Sequence, residues 1–228
     1  MKNHGLNNNQ LKIIGMVVML LDHAGVILFP QYELLRIIGR VGFPLFAYMI
    51  AEGCTYTKSR KKYLLTLLAM AIGIQTVYFI AMGSLYQNVL VTFSLSVASI
   101  FAVDTFVRNK NLKHGVMMVA ALSLVVFLSL IAPILFEKQG FVIDYGFFGV
   151  LLPVAVYYSK GKVWKLSSTA AILVIRGLLY GELKWFALLS LPLLFLYNGE
   201  RGKAKMKYVF YIFYPAHLAI LYLISLLI

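Results

Sequence analysis

Long apolar runs separated by short polar clusters fill the chain, at about 11–29, 34–57, 63–82, 87–107, 114–136, 141–158, 164–180, 185–197 and 208–228. A helix rising about 1.5 Å per residue needs about 20 apolar residues to cross a hydrocarbon layer. The pattern therefore predicts an all-α, polytopic transmembrane bundle of about nine spans. The seventh and eighth runs are weaker, because Arg176 interrupts one and the other is short with Pro192 among its residues. They either cross fully or form a re-entrant pair. No internal repeat or low-complexity linker divides the chain, so residues 1–228 read as a single membrane-embedded domain.

Composition agrees with the pattern. The 228 residues are 61% hydrophobic and only 13% charged, with a mean hydropathy of +0.85, whereas about a quarter of a soluble chain is charged. This is an integral membrane protein with no room for a separate soluble domain. Lys2 before the first run and Lys12 at its start resemble a signal peptide, but the run is long and no small-x-small cleavage site follows it, so a retained first span is expected. A single cysteine, Cys54, excludes an internal disulfide and a multi-cysteine metal site, and reads as a small buried hydrophobe near a helix end.

The basic residues fix the expected orientation. Lys58, Arg60, Lys61 and Lys62 follow the second run; Arg108, Lys110 and Lys113 the fourth; Lys160, Lys162 and Lys165 the sixth; Arg201, Lys203, Lys205 and Lys207 the eighth. With Lys2 and Lys12 they place sixteen of the 21 Lys and Arg on one side, against Lys138 and Lys184 on the other. By the positive-inside rule the N-terminus is cytoplasmic and the C-terminus outside. The net charge of +13 is thus mostly a topology signal, and nucleic acid is not expected as a partner.

What remains is three arginines within apolar runs, Arg36, Arg40 and Arg176, together with Asp22, His23, Glu52, Asp104, Asp144 and His217. Each costs several kcal/mol in hydrocarbon unless it faces a protein interior or a wet cavity and finds a partner. With the first span running outward, Asp22 lies eight residues, about 12 Å, below Pro30 at its outer end. Arg36 and Arg40, at i and i+4 on the second span, share that outer half, and Asp144 and Arg176 join the layer. His217 falls near the midplane below it. Glu52 and Asp104 lie near cytoplasmic ends, where Lys58 or Arg108 could neutralise them.

Adjacent helical positions point about 100° apart, so Asp22 and His23 seek partners on other spans. Either Asp22 neutralises Arg40 while His23 bridges helices, or the imidazole, titrating near neutral pH, is a general base. In the last run Pro215 removes an amide donor and frees the carbonyl four residues back, predicting a kink beneath His217. Phe210, Tyr214, His217 and Leu221 share one face there, either as packing or as a cavity lining.

The segments LLDHAG (20–25), LLRIIGRVGFPLFAYMIAEG (34–53), IDYGFFGVLLP (143–153) and FYIFYPAHL (210–218) resemble, in order, the TraX family. Its R-x3-R-x3-P spacing and terminal AEG are the specific part. The resemblance covers nearly the whole chain and puts Asp22, His23, Arg36, Arg40, Glu52, Asp144 and His217 on the family's polar positions. That family, associated with pilin N-terminal acetylation, is similar to polytopic membrane acyltransferases. The resemblance therefore implies a bacterial cytoplasmic-membrane enzyme taking an acyl group, expected to be acetyl, from acetyl-CoA. The acceptor does not carry over: a peptide N-terminus, a glycan or a lipid headgroup all fit.

Acyl transfer needs a base for the acceptor's proton and a donor or cation for the tetrahedral oxyanion. His23 is the first candidate base and His217 the second, with Asp22 completing the catalytic set. Arg36, Arg40, Glu52, Asp144, Arg176 and Tyr214 are the candidate binding residues, the arginines for an oxyanion or for phosphates. No Walker-type loop or HExxH motif is present, which argues against an ATP-driven pump or a zinc peptidase, and no metal is expected. Two rival readings stand: a transporter or flippase for an anionic metabolite or lipid, and a non-enzymatic membrane assembly factor.

Overall fold

A computed structural model describes residues 5–203 and 206–227. Lys2 and Lys205, counted above for orientation, lie outside the described residues, as does the side chain of Lys207. Every regular element among the described residues is helical, apart from two isolated bridges, Leu6 with Tyr197 and Gln87 with Ile143. Six helical stretches are long and apolar enough to cross a membrane: Asn8–Ile27, Glu33–Tyr56, Arg60–Ile80, Val89–Asn109, Leu112–Leu135 and Gly161–Tyr180. The chain is a multi-pass helical membrane protein.

The remaining runs are shorter as helices than the sequence pattern implies. The sixth forms only the 13-residue helix Gly146–Tyr158, because Val142 and Asp144 are held in backbone hydrogen bonds to Gln87 and Tyr145 is left-handed. The eighth begins as a 3-10 helix, Glu182–Leu189, and continues as six residues of α-helix, Ser190–Phe195. In the ninth, the apolar part described is Ile212–Ser225. The helix that holds it, Lys207–Ser225, is continuous through Pro215.

The backbone divides into two compact units, Met1–Met49 with Lys160–Ile228, and Ile50–Ser159. In the first unit, α1 (Asn8–Ile27) opens with a capping box in which Asn7 and Gln10 satisfy each other's backbone amides. Leu6 and Asn8 are tied by backbone hydrogen bonds to Leu196, Asn198 and Glu200. Next come α2 (Glu33–Gly39) and α3 (Gly42–Tyr56), whose first residues belong to this unit. The second apolar run is therefore two helices rather than one. Pro44 has no amide hydrogen for the Arg40 carbonyl four residues back, and its ring crowds that carbonyl, so the chain turns at Arg40 and Val41.

α1 packs on α2 and on the C-terminal helix Lys207–Ser225. Small residues permit the close approach: a Cβ on Gly15 would meet the Phe46 ring at 2.9 Å, and one on Gly25 would meet Leu35 at 2.8 Å. The helix Gly161–Tyr180 packs on the 3-10 segment that follows it, where the Trp185 ring lies over Gly177.

The second unit is centred on Val89–Asn109, which packs against Arg60–Met82, Leu112–Val126 and Gly146–Tyr158. Phe93, Val97 and Ile100 fill its core, and the small hydroxyl residues Thr92, Ser94, Ser96 and Ser99 are buried beside them. Thr92 Oγ1 donates to the Asp144 carbonyl at 2.5 Å and Ser96 Oγ lies 2.8 Å from the Val150 carbonyl, so the core hydroxyls tie down the short helix after Asp144. The Leu112–Leu135 stretch carries exposed Val116, Met117, Val119 and Leu124, as a lipid-facing helix should. Its π-turn, Phe127–Ile131, precedes Pro133, which lacks the amide to continue a regular ladder.

Candidate functional site

The first unit collects most of the predicted site residues. Asp22 and His23 are neighbours on α1 and point to different helices. Asp22 faces α2: its Oδ1 accepts from Arg36 Nη1 at 2.9 Å and from Arg40 Nη2 at 2.7 Å, and its Oδ2 lies 3.0 Å from Arg40 Nη2. The Arg40 side chain is 8% exposed and that of Arg36 28%, so the pairing with Arg40 is the deeper one. Arg36 also reaches the Asp22 carbonyl at 3.4 Å. Gly39 makes the approach possible, because a Cβ there would collide with the Asp22 Cβ and Oδ1.

His23 faces the other way, to the C-terminal helix. Its Nδ1 lies 2.8 Å from His217 Nε2, and His217 Nδ1 lies 2.7 Å from the Phe213 carbonyl. The two imidazoles are 5.0 Å apart between centroids. His217 is buried and its ring is gripped by aromatics, stacked on Phe213 at 4.7 Å and edge-on to Tyr214 at 5.7 Å. His23 is half-buried, and its Nε2 has no hydrogen-bond partner among the described residues. The expectation that the partners of Asp22 and His23 come from other helices is met for both.

The shared face of the last helix packs inward, with Tyr214, His217 and Leu221 buried and Phe210 against Phe46 at 4.9 Å. Arg176 is buried in the same unit, its guanidinium 5.3 Å from the centre of the Phe43 ring. Asp144, expected in the layer of the arginines, and Glu52, expected near a cytoplasmic end, are residues of the second unit. There Glu52 is buried on α3, and Asp144 sits in the turn before Gly146–Tyr158 with its backbone bonded to Gln87 and Thr92.

Asp104 does not turn to Arg108, four residues on and exposed. It accepts from Arg60 Nη2 at 2.6 Å, Tyr157 Oη at 2.6 Å and Tyr158 Oη at 3.0 Å. This network joins three helices of the second unit and was not legible in the sequence, where Tyr157 and Tyr158 merely end an apolar run. Cys54 is buried on α3. Among the described residues no three His, Cys, Asp or Glu side chains are grouped to hold a metal ion.

The buried acid clamped by two arginines and the paired histidines on the first and last helices account for five of the seven polar positions that the TraX resemblance names, Glu52 and Asp144 lying in the second unit. The family model described as TraX protein matches residues 7–225. The chain belongs to the TraX family. It is also similar to a probable fimbrial assembly protein FimC, serogroup H1, of Dichelobacter nodosus, 28% identical over 236 residues that cover 93% of each chain. No solved structure matches.

Proposed function

We propose that this TraX-family protein is a membrane acyltransferase of the bacterial cytoplasmic membrane, using acetyl-CoA as donor and acting in the modification or assembly of surface fibres. The observation that carries the reading is His23: a half-buried imidazole inside an apolar helix, held through Nδ1 by His217, with Nε2 unbonded among the described residues. Fibre assembly as the setting rests on the FimC-like relative. The proposed orientation keeps the N-terminus cytoplasmic, with nine hydrophobic passes, three of them shorter than full spans.

In this reading His23 removes the proton from an acceptor amine or hydroxyl as that atom attacks the thioester carbonyl. The new C–N or C–O bond forms, the C–S bond breaks, and the proton held by His23 goes to the departing thiolate. Arg36, the more exposed of the two guanidiniums on Asp22, supplies positive charge for the oxyanion or for phosphates of the donor. Arg40 holds Asp22 in place.

The test is turnover of acetyl-CoA by protein purified in lipid nanodiscs, with a peptide amine and a sugar hydroxyl as acceptors. His23→Gln, polar but unable to titrate, should lose about 10²-fold or more in turnover while still binding acetyl-CoA. Wild-type protein that binds no coenzyme thioester, but moves an anion across the bilayer, would overturn the reading in favour of a transporter.

A further inference from the structure

The chain of contacts through the two imidazoles has only one consistent arrangement of hydrogens when both rings are neutral. The Phe213 carbonyl can only accept, so His217 Nδ1, 2.7 Å away, carries the hydrogen. A neutral imidazole has one N–H, which leaves His217 Nε2 as a lone pair. That lone pair faces His23 Nδ1 at 2.8 Å, so His23 Nδ1 must be the donor. His23 Nε2 is then the remaining lone pair, on the nitrogen with no hydrogen-bond partner among the described residues. The Phe213 and Tyr214 rings hold the His217 ring so that the alternative, a flipped His217 with Nδ1 towards His23, breaks its bond to the carbonyl.

We propose that His217 is a positioning residue that fixes His23 as the Nδ1–H tautomer and thereby aims Nε2 at substrate. The proposal rests on the reading of His23 as base and adds how that base is made ready. Free imidazole side chains favour hydrogen on Nε2, which here would put two lone pairs against each other across 2.8 Å. When Nε2 of His23 takes a proton, Nδ1–H continues to donate to His217, so neither ring has to turn or exchange hydrogens during a cycle. The backbone carbonyl of Phe213 plays the part that a carboxylate plays in other histidine pairs: it selects the tautomer, and it does so without placing a further charge in the membrane.

The experiment is 15N-edited NMR of histidine-labelled protein in nanodiscs at about pH 8, above the ordinary histidine range. The His23 signals among the four histidines are identified by their loss in His23→Gln. The expected wild-type spectrum has His23 as the Nδ1–H tautomer. His217→Phe, a ring with no acceptor, should move His23 to the Nε2–H tautomer and lower kcat about 10-fold to 100-fold with little change in KM. His217→Gln, whose Oε1 can accept in place of Nε2, should keep the Nδ1–H tautomer and much of the activity.

A wild-type His23 found as Nε2–H overturns the proposal, even if neither variant folds. So does a folded His217→Phe protein in which the His23 tautomer is unchanged. If the tautomers behave as expected and His23→Gln remains fully active, the positioning by His217 stands and the base reading falls. If His23→Gln loses activity and the tautomer does not respond to His217, the base reading stands and the positioning falls.

Discussion

Asp22 accepts from two guanidiniums, and the two differ in how far they are removed from solvent. Removing one partner of a buried pair leaves an uncompensated charge, which costs about 3 to 5 kcal/mol. Arg40→Gln should therefore destabilise the protein by about that amount, measured by thermal unfolding in detergent, whereas Arg36→Gln should cost clearly less because its side chain is 28% exposed. Equal losses would mean that the two pairs are equally deep. That Asp22 would be paired was legible in the sequence, since an acid in hydrocarbon needs a partner within reach and Arg36 and Arg40 were the cations expected in the same outer half. That His23 would find His217 was legible only as the requirement for a partner on another helix, because nothing in an apolar run says which distant helix it meets. Gly39 carried no signal at all, since its role is the space a side chain would take from Asp22.

Helix ends were the least readable part of the fold, and each departure has a local cause. Pro44 divides the second run beside Arg40, so the arginines stand at the close of one helix and in the turn after it rather than along a single span. Tyr145 and the Gln87 backbone hold residues 142–145 out of the next helix, which a hydropathy pattern cannot register. Asp104 shows the same limit for side chains: the i+4 neighbour Arg108 was the local candidate, but the partner is Arg60, brought in by another helix. Because Asp104 gathers Arg60, Tyr157 and Tyr158, it clamps the Arg60–Met82, Val89–Asn109 and Gly146–Tyr158 helices of the second unit together. Asp104→Asn should lower stability by about 2 kcal/mol, as expected for charge-assisted hydrogen bonds, and Tyr157→Phe by about 1 kcal/mol. The check is the unfolding midpoint of each variant, together with the His23 tautomer. A shift in that tautomer on changing Asp104 would show that this network serves the histidine pair as well as its own unit.

At the scale of the whole chain, the paired groups Asp22, Arg36, Arg40, His23 and His217 all belong to the unit built from the two outer parts of the sequence, and Ile50–Ser159 is inserted between those parts. Under the proposed acyl transfer, the side of the membrane that each loop faces decides where acceptor and donor would reach His23, so the sixteen-to-two distribution of loop cations bears on that proposal. Cys54 is buried and is the one cysteine in the chain, which makes Cys54→Ala a clean background for single-cysteine labelling. On that background a cysteine in place of exposed Lys61 should react with an impermeant thiol reagent only from the cytoplasmic side, and one in place of exposed Lys138 only from outside. The first helix then runs outward from Asn8, and Asp22 and His23 sit in its outer half. An acyl donor made in the cytoplasm would have to extend inward past the midplane to reach His23, while an acceptor on the outer side would meet it directly. The reverse labelling would put His23 nearest the cytoplasm, and transfer would then take place on that side, before the acceptor crosses.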